Sequence, residues 1–132
     1  MDKYSFSNET PNAKKVLELY KAVKFFNKYW SLERMEKVLE NSSLLLCCYE
    51  GKKLIGIARG ISDKYWVAHL SHLAVHPDYQ NLGIGKALIQ KIREDLGNAV
   101  TLMVHAGPGI GGYYKKLGFD LYENVYRIKR AQ

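Results

Sequence analysis

Residues 80 to 88 read QNLGIGKAL, with Gly83 and Gly85 one residue apart where a helix begins. Glycines in a tight turn let successive backbone N–H groups point into one concavity, and the first turn of a helix adds partial positive charge there. The chemistry offered is therefore anion binding by the amides of Asn81, Leu82, Gly83, Ile84, Gly85 and Lys86. Two nucleotide motifs fail on this stretch. The dinucleotide fingerprint needs a third glycine where Leu88 stands, and the P-loop needs glycine at Gln80 and a hydroxyl at Ala87. What remains is Q-x-x-G-x-G opening an amphipathic helix, which a turn without any ligand would also satisfy, so the flanking elements must decide.

The elements follow from periodicity. Tyr4 to Ser7 reads as a short strand, and Thr10 and Pro11 as the cap and first residue of a helix carrying Val16, Leu17, Leu19, Tyr20 and Val23. Ser31 caps a second helix with Leu32, Met35, Val38 and Leu39, ended by Asn41 and Ser42. Apolar runs at Ser43 to Tyr49, Leu54 to Ile61 and Val67 to Val75, separated by EGKK and by a turn at Ser62 to Lys64, predict an antiparallel meander. The helix after the loop shows Ile84, Ala87, Leu88 and Ile92 on one stripe and stops at Gly97. Val100 to Val104 is apolar on both faces, as a parallel strand reached through a crossover helix would be. A short helix, Gly111 to Leu117, ends at Gly118, and Phe119 to Ile128 supplies a final strand. The expected fold class is α+β, a mixed and mostly antiparallel sheet with flanking helices in the order β-α-α-β-β-β-α-β-α-β.

At 132 residues and 47% hydrophobic, without repeats or low-complexity stretches, the chain is expected to form one domain over residues 1–132. A polar N-terminal stretch, MDKYSFSNET, and apolar runs too short for a membrane span lead to the expectation of a soluble, cytoplasmic protein with no membrane partner. Cys47 and Cys48 are neighbours in a strand, so they face opposite ways and stay reduced. A net charge of +7 favours an anionic partner, but the basic residues are scattered, which fits a polyanionic small molecule as well as nucleic acid. No C-x-x-C spacing occurs, and no metal is expected.

Three linked features, HLSHLAVHPDYQ running into QNLGIG, a helix with a buried strand, and YYKKLGF, together resemble the GNAT superfamily of acyl-CoA-dependent N-acyltransferases. The family pattern V-x-P-x-x-Q-x-x-G-x-G is met by Val75, Pro77, Gln80, Gly83 and Gly85. The pattern F-Y-x-x-x-G-F is met by Tyr113, Tyr114, Gly118 and Phe119, with tyrosine as the first aromatic. AHLSHLAVH is similar to the corresponding strand of arylalkylamine N-acetyltransferases, with His69 on the first family histidine and Ser71 replacing the second, and GIARGISD is similar to small bacterial and plastid members. One departure is Gly107, which stands where the family often has asparagine seven residues before its tyrosine.

The resemblance implies acetyl-CoA as co-substrate, its pyrophosphate on the Gln80 to Lys86 loop and its pantetheine arm along the backbone of Leu73, Ala74 and Val75. It also implies direct transfer to a primary amine of a small molecule or peptide. The amine arrives protonated, and histidine titrates in the useful range, so His69 is the candidate base with Ser71 as relay. A strict period of two puts these on one face and His72 on the other. His72, His76 and His105 are taken as structural, and His69 in a strand is open to the same reading. Tyr114 is the candidate acid for the departing thiolate. Tyr65 and Trp66 either line an aromatic pocket or form a cross-strand pair. Two other functions stay open, a silent acyl-CoA sensor and a basic nucleic-acid-binding protein, although no nucleic-acid recognition motif is present. A homodimer is left open.

Overall fold

The computed structural model describes residues 3–107 and 109–132. In chain order it contains β1 (Tyr4–Ser7), α1 (Ala13–Ala22), α2 (Leu32–Glu40), β2 (Leu44–Glu50), β3 (Lys53–Ser62), β4 (Val67–Val75), a 3-10 turn (Pro77–Tyr79), α3 (Ile84–Leu96), β5 (Thr101–Val104) and α4 (Gly111–Lys116). The sheet runs β1-β2-β3-β4-β5. Its first four strands are antiparallel, and β5 lies parallel to β4, because the crossover through α3 returns the chain to the same end of the sheet.

Helix boundaries are set by local chemistry. Ser31 Oγ accepts from Arg34 N at 3.1 Å and starts α2 where expected. The first helix starts later than expected: Asn12, not Thr10, is the cap, its Oδ1 accepting from Lys15 N at 3.1 Å. Both residues are good caps, and the one in register with the buried stripe Val16, Leu19 and Tyr20 prevails. Gly97 ends α3 with φ +77°.

Each face of the sheet carries its own core. On one side α3 packs Ile84, Leu88, Ile89 and Ile92 against Cys48, Ile55, Ala58, Ala68 and Leu70. On the other, α1 and α2 pack Val16, Leu19, Tyr20, Met35 and Leu39 against Cys47, Leu54, Ile57 and Ala74. The two thiols therefore belong to opposite faces, and both are free. Gly56 lets α3 sit close on β3, since a Cβ there would meet Ile84 Cγ2 at 3.2 Å and Leu88 Cδ1 at 3.3 Å.

Two expectations need correction. The final strand does not form: residues 119–132 join no ladder, and Leu121, Tyr122, Val125, Tyr126 and Ile128 are exposed. The run has strand-forming residues, but Asn124 at φ +66° cuts it into two short pieces, and neither takes up the free edge of β5. Tyr65 and Trp66 form no cross-strand pair either. They stand out at the β3–β4 turn, 86% and 78% exposed, because Asp63 Oδ1 accepts from the amides of Tyr65, Trp66 and Val67 and turns the backbone there. Among the described residues no helix is long and apolar enough to cross a membrane.

Candidate active site

Strand β4 is nine residues long, but β5 pairs only with Val67 to Leu70 of it. Beyond Leu70 the two parallel strands part, and the β4 edge from Ser71 to Val75 pairs with no strand among the described residues on that side. His76 N donates to Ile55 O of β3, at 2.8 Å, so alternation turns the amide and carbonyl of Ala74 toward β3 as well. Those of Leu73 and Val75 face the open side. Gln80 closes one of them, its Nε2 donating to Val75 O at 3.0 Å. An extended chain carrying amides could add itself to this edge as a strand would.

The loop from Gln80 to Gly83 leads straight from that edge into α3. Asn81 and Gly83 both take left-handed conformations, at φ +64° and +84°. Gly83 is the N-cap residue and no side chain among the described residues caps the helix, so the amides of the first turn are left for an outside acceptor. Such a turn accommodates a pyrophosphate. Lys86 is exposed on the same turn, and Leu82 is exposed in the loop before it.

The two glycines have different roles. A Cβ on Gly83 would meet nothing within 4 Å, so this position faces open space and only its φ demands glycine. Gly85 is buried, and a Cβ there would collide with the Tyr113 hydroxyl, with Val75 Cγ2 at 3.7 Å beyond it. The space beside the Gly85 Cα belongs to Tyr113.

The expected separation of the histidines on β4 is overturned by a bulge. Arg59 pairs with His72 and Gly60 with Leu70, so Ser71 is the extra residue. Alternation slips there: Leu70 and Leu73, three apart, both join the α3-side core, while Ala74 lies in the other. His69, Ser71 and His72 consequently share the α1–α2 face. Gly60 makes this possible, because any Cβ would run into the carbonyl oxygen of His69.

On that face His69 Nδ1 and Ser71 Oγ are hydrogen-bonded at 3.1 Å, the pair expected of base and relay. They line a cavity of about 460 Å³ together with His105, Val125, Tyr126 and Arg127. His105, taken as structural from the sequence, thus sits beside the candidate base. Burial holds the His69 pKa below its ordinary value, and the charges of His105 and Arg59 add to this. A neutral imidazole at neutral pH is what a base requires. His72 lies deeper, hydrogen-bonded to Tyr20 Oη through Nδ1 at 2.9 Å and ringed by Tyr20, Phe25 and Trp30. Burial, with Arg59 next, pushes its pKa down to about 3, so it is a neutral structural group.

Tyr114 is 8% exposed in the α3-side core, its ring edge-on to Tyr113 and Phe119 at 5.3 and 5.5 Å. Burial, then the neighbouring Tyr113, raises its pKa, which keeps the phenol protonated as a proton donor must be.

The residue that sequence reasoning missed is Arg59. It is 8% exposed on β3, its Nη1 reaches only Ser42 Oγ at 3.4 Å, and its Nε has no partner among the described residues. A lone arginine in an apolar strand, GIARGI, was the available signal. Among the described residues no group of three metal-ligating side chains gathers.

The description Acetyltransferase (GNAT) domain fits residues 9–129. A protein named uncharacterized N-acetyltransferase ycf52 from Pyropia yezoensis is 33% identical over 124 residues, covering 89% of this chain and 70% of that protein. The rice protein serotonin N-acetyltransferase 2, chloroplastic, is 28% identical over 101 residues, 72% of this chain and 50% of its own length. In three dimensions the fold superposes on a probable acetyltransferase from Staphylococcus aureus, SA2161, with a TM-score of 0.81 at 24% identity, covering 96% of this chain and 99% of that one. A family match over nearly the whole chain, on a fold whose parted strands and uncapped helix adjoin, has one outcome: the chain belongs to the GNAT acetyltransferase family.

Proposed function

We propose that the protein transfers an acetyl group from acetyl-CoA directly to a primary amine of a small molecule or peptide. One observation carries the reading: the β4 edge at Leu73 and Val75, which no strand among the described residues pairs, leads without interruption into the first turn of α3, where no side chain among them caps the helix. The first suits the amides of a pantetheine arm and the second a pyrophosphate, in the order in which they occur along one CoA molecule. In this reading Gln80, Asn81, Leu82, Gly83, Ile84, Gly85 and Lys86 form the phosphate cradle through their backbone, with Ala74 supporting the edge from the β3 side.

The chemistry then divides between the faces of the sheet. His69, with Ser71 beside it, takes the proton of the incoming ammonium, directly or through water. Neutral nitrogen attacks the thioester carbonyl, the carbon–sulfur bond breaks as Tyr114 gives its proton to the thiolate, and the nitrogen's second proton passes through water to the Tyr114 phenolate, so that a neutral amide and CoA leave and His69 returns its proton to solvent. An outward-facing β4 amide polarises the carbonyl.

The test is thiol release from acetyl-CoA across a panel of primary amines, with CoA binding measured in parallel by calorimetry. Release with at least one amine, and micromolar CoA binding lost when the first turn of α3 is altered, is expected. Tight CoA binding without release for any amine would replace the enzyme with an acyl-CoA sensor. Absence of CoA binding would remove the reading altogether.

A further inference from the structure

The full charges nearest the cavity at His69 and Ser71 are those of arginines. Arg59 of β3 stands behind it, opposite His72 in the ladder and acting on both histidines of β4. His105 beyond β5 and Arg127 from the C-terminal segment line it, and Arg130 of that segment lies close enough to act on His72. No aspartate or glutamate lines the cavity among the described residues. The charge of Arg59 is also incomplete: it is buried, its Nε lacks a partner, and it makes no salt bridge among the described residues. Buried cations are ordinarily paired, because their desolvation is costly.

A bare ammonium or a polycation entering here meets the charges of Arg127 and Arg59 with no carboxylate among the described lining residues to offset them. A molecule that brings its own carboxylate supplies the missing countercharge. We propose that the acceptor is an amino carboxylate, its carboxylate met by the Arg127 guanidinium at the cavity and backed by the buried Arg59, its amine directed to His69. This rests on the acyl-transfer reading and narrows its substrate class. Arg127 is exposed and so is free to close on a carboxylate in a two-pronged contact. Arg59 is then a positioning residue acting through the field, with Ser42 Oγ the one side-chain oxygen holding it.

Matched pairs that differ only in the carboxylate test this: tryptophan against tryptamine, alanine against ethylamine, with spermidine as the polycation. Turnover with acetyl-CoA is followed by thiol release, and binding of N-acetyltryptophan and N-acetyltryptamine by calorimetry. The carboxylate member should win in kcat/KM and in product affinity by on the order of tenfold or more, the size of one charge-assisted contact. Arg127→Gln should collapse that ratio while Arg127→Lys retains part of it, and Arg59→Gln should reduce it where Arg59→Lys does not. Circular dichroism checks that Arg59→Gln folds; Arg127, on the surface, serves if it does not. Equal or better handling of tryptamine or spermidine, or a ratio untouched by Arg127→Gln, overturns the proposal. If no amine reacts although CoA binds, the acyl-transfer reading fails, and the N-acetyl pair still decides the carboxylate preference by itself.

Discussion

Replacing Gly85 with alanine sets two effects of opposite sign against each other, and the structure says which wins. Alanine in a helix is preferred to glycine by about 0.5–1 kcal/mol. Against this, the new Cβ occupies the position of the Tyr113 hydroxyl, so the ring must leave. Tyr113 is 43% exposed, which lets it swing outward, but the part of its ring now covered would be uncovered, at a cost of about 1–2 kcal/mol. Gly85→Ala alone should therefore destabilise by up to about 1.5 kcal/mol. In the Tyr113→Phe background the picture reverses. With the oxygen gone, the nearest atoms are Tyr113 Cζ at 3.5 Å and Val75 Cγ2 at 3.7 Å, both ordinary contacts, so the helix preference acts unopposed. The double variant should be at least as stable as Tyr113→Phe, giving a coupling of about 1–2 kcal/mol in a double-mutant cycle by urea denaturation. Calorimetry with CoA on the same four proteins adds the functional arm: affinity lost in Gly85→Ala should return in the double variant. Additivity within about 0.5 kcal/mol would refute the assignment of that space to Tyr113. Affinity that stays low in the double variant would return Gly85 to the ligand.

Four other outcomes are expected. Gly83→Ala should leave packing untouched but cost about 1–2 kcal/mol from the left-handed backbone, and CoA affinity should fall with it, read by denaturation and calorimetry. His69→Ala should abolish an acidic limb of kcat/KM that lies below the ordinary histidine range, and the same limb persisting in the variant would exclude His69 as the base. Tyr114→Phe should keep the fold and CoA binding while turnover falls on the order of 10²-fold, and a more acidic thiol leaving group should recover part of the rate. His72 is neutral when folded down to about 3, whereas the unfolded chain takes up a proton near 6.5, so the unfolded state binds more protons between these values. Stability should fall as pH drops from about 6.5 toward 3, by on the order of a few kcal/mol, and less in His72→Phe, as acid denaturation would register.

Much of this architecture is legible from local signals. β4 occupies the expected Val67 to Val75, Ser31 caps α2, and the parallel crossover follows from a strand apolar on both faces. The loop before α3 could be placed because glycines and a periodic stripe are properties of neighbouring residues. What could not be placed depends on contacts between distant segments. The bulge at Ser71 brings His72 onto the face of His69 because Gly60, on another strand, admits the His69 carbonyl. Period two has no means of showing it. Likewise Gly85 gives its space to a tyrosine from α4, and Arg59 is buried beside Tyr20 of α1 and Ser42 after α2. The C-terminal run has the composition of a strand, but pairing is a property of the neighbour, and none takes it.

The adjacent cysteines give the two layers separate clocks. Cys47 is sealed beneath α1 and α2 and Cys48 beneath α3, and burial raises their pKa values to about 12 and about 11. Neither thiol reacts while covered, since the thiolate is the nucleophile. Each becomes modifiable only when its own layer lifts, so the rates at which a thiol reagent captures the two side chains measure opening events on opposite sides of one strand. If α1 and α2 breathe while α3 stays shut, Cys47 is captured first. A cofactor-side ligand would then slow Cys48 and leave Cys47 to keep its own time.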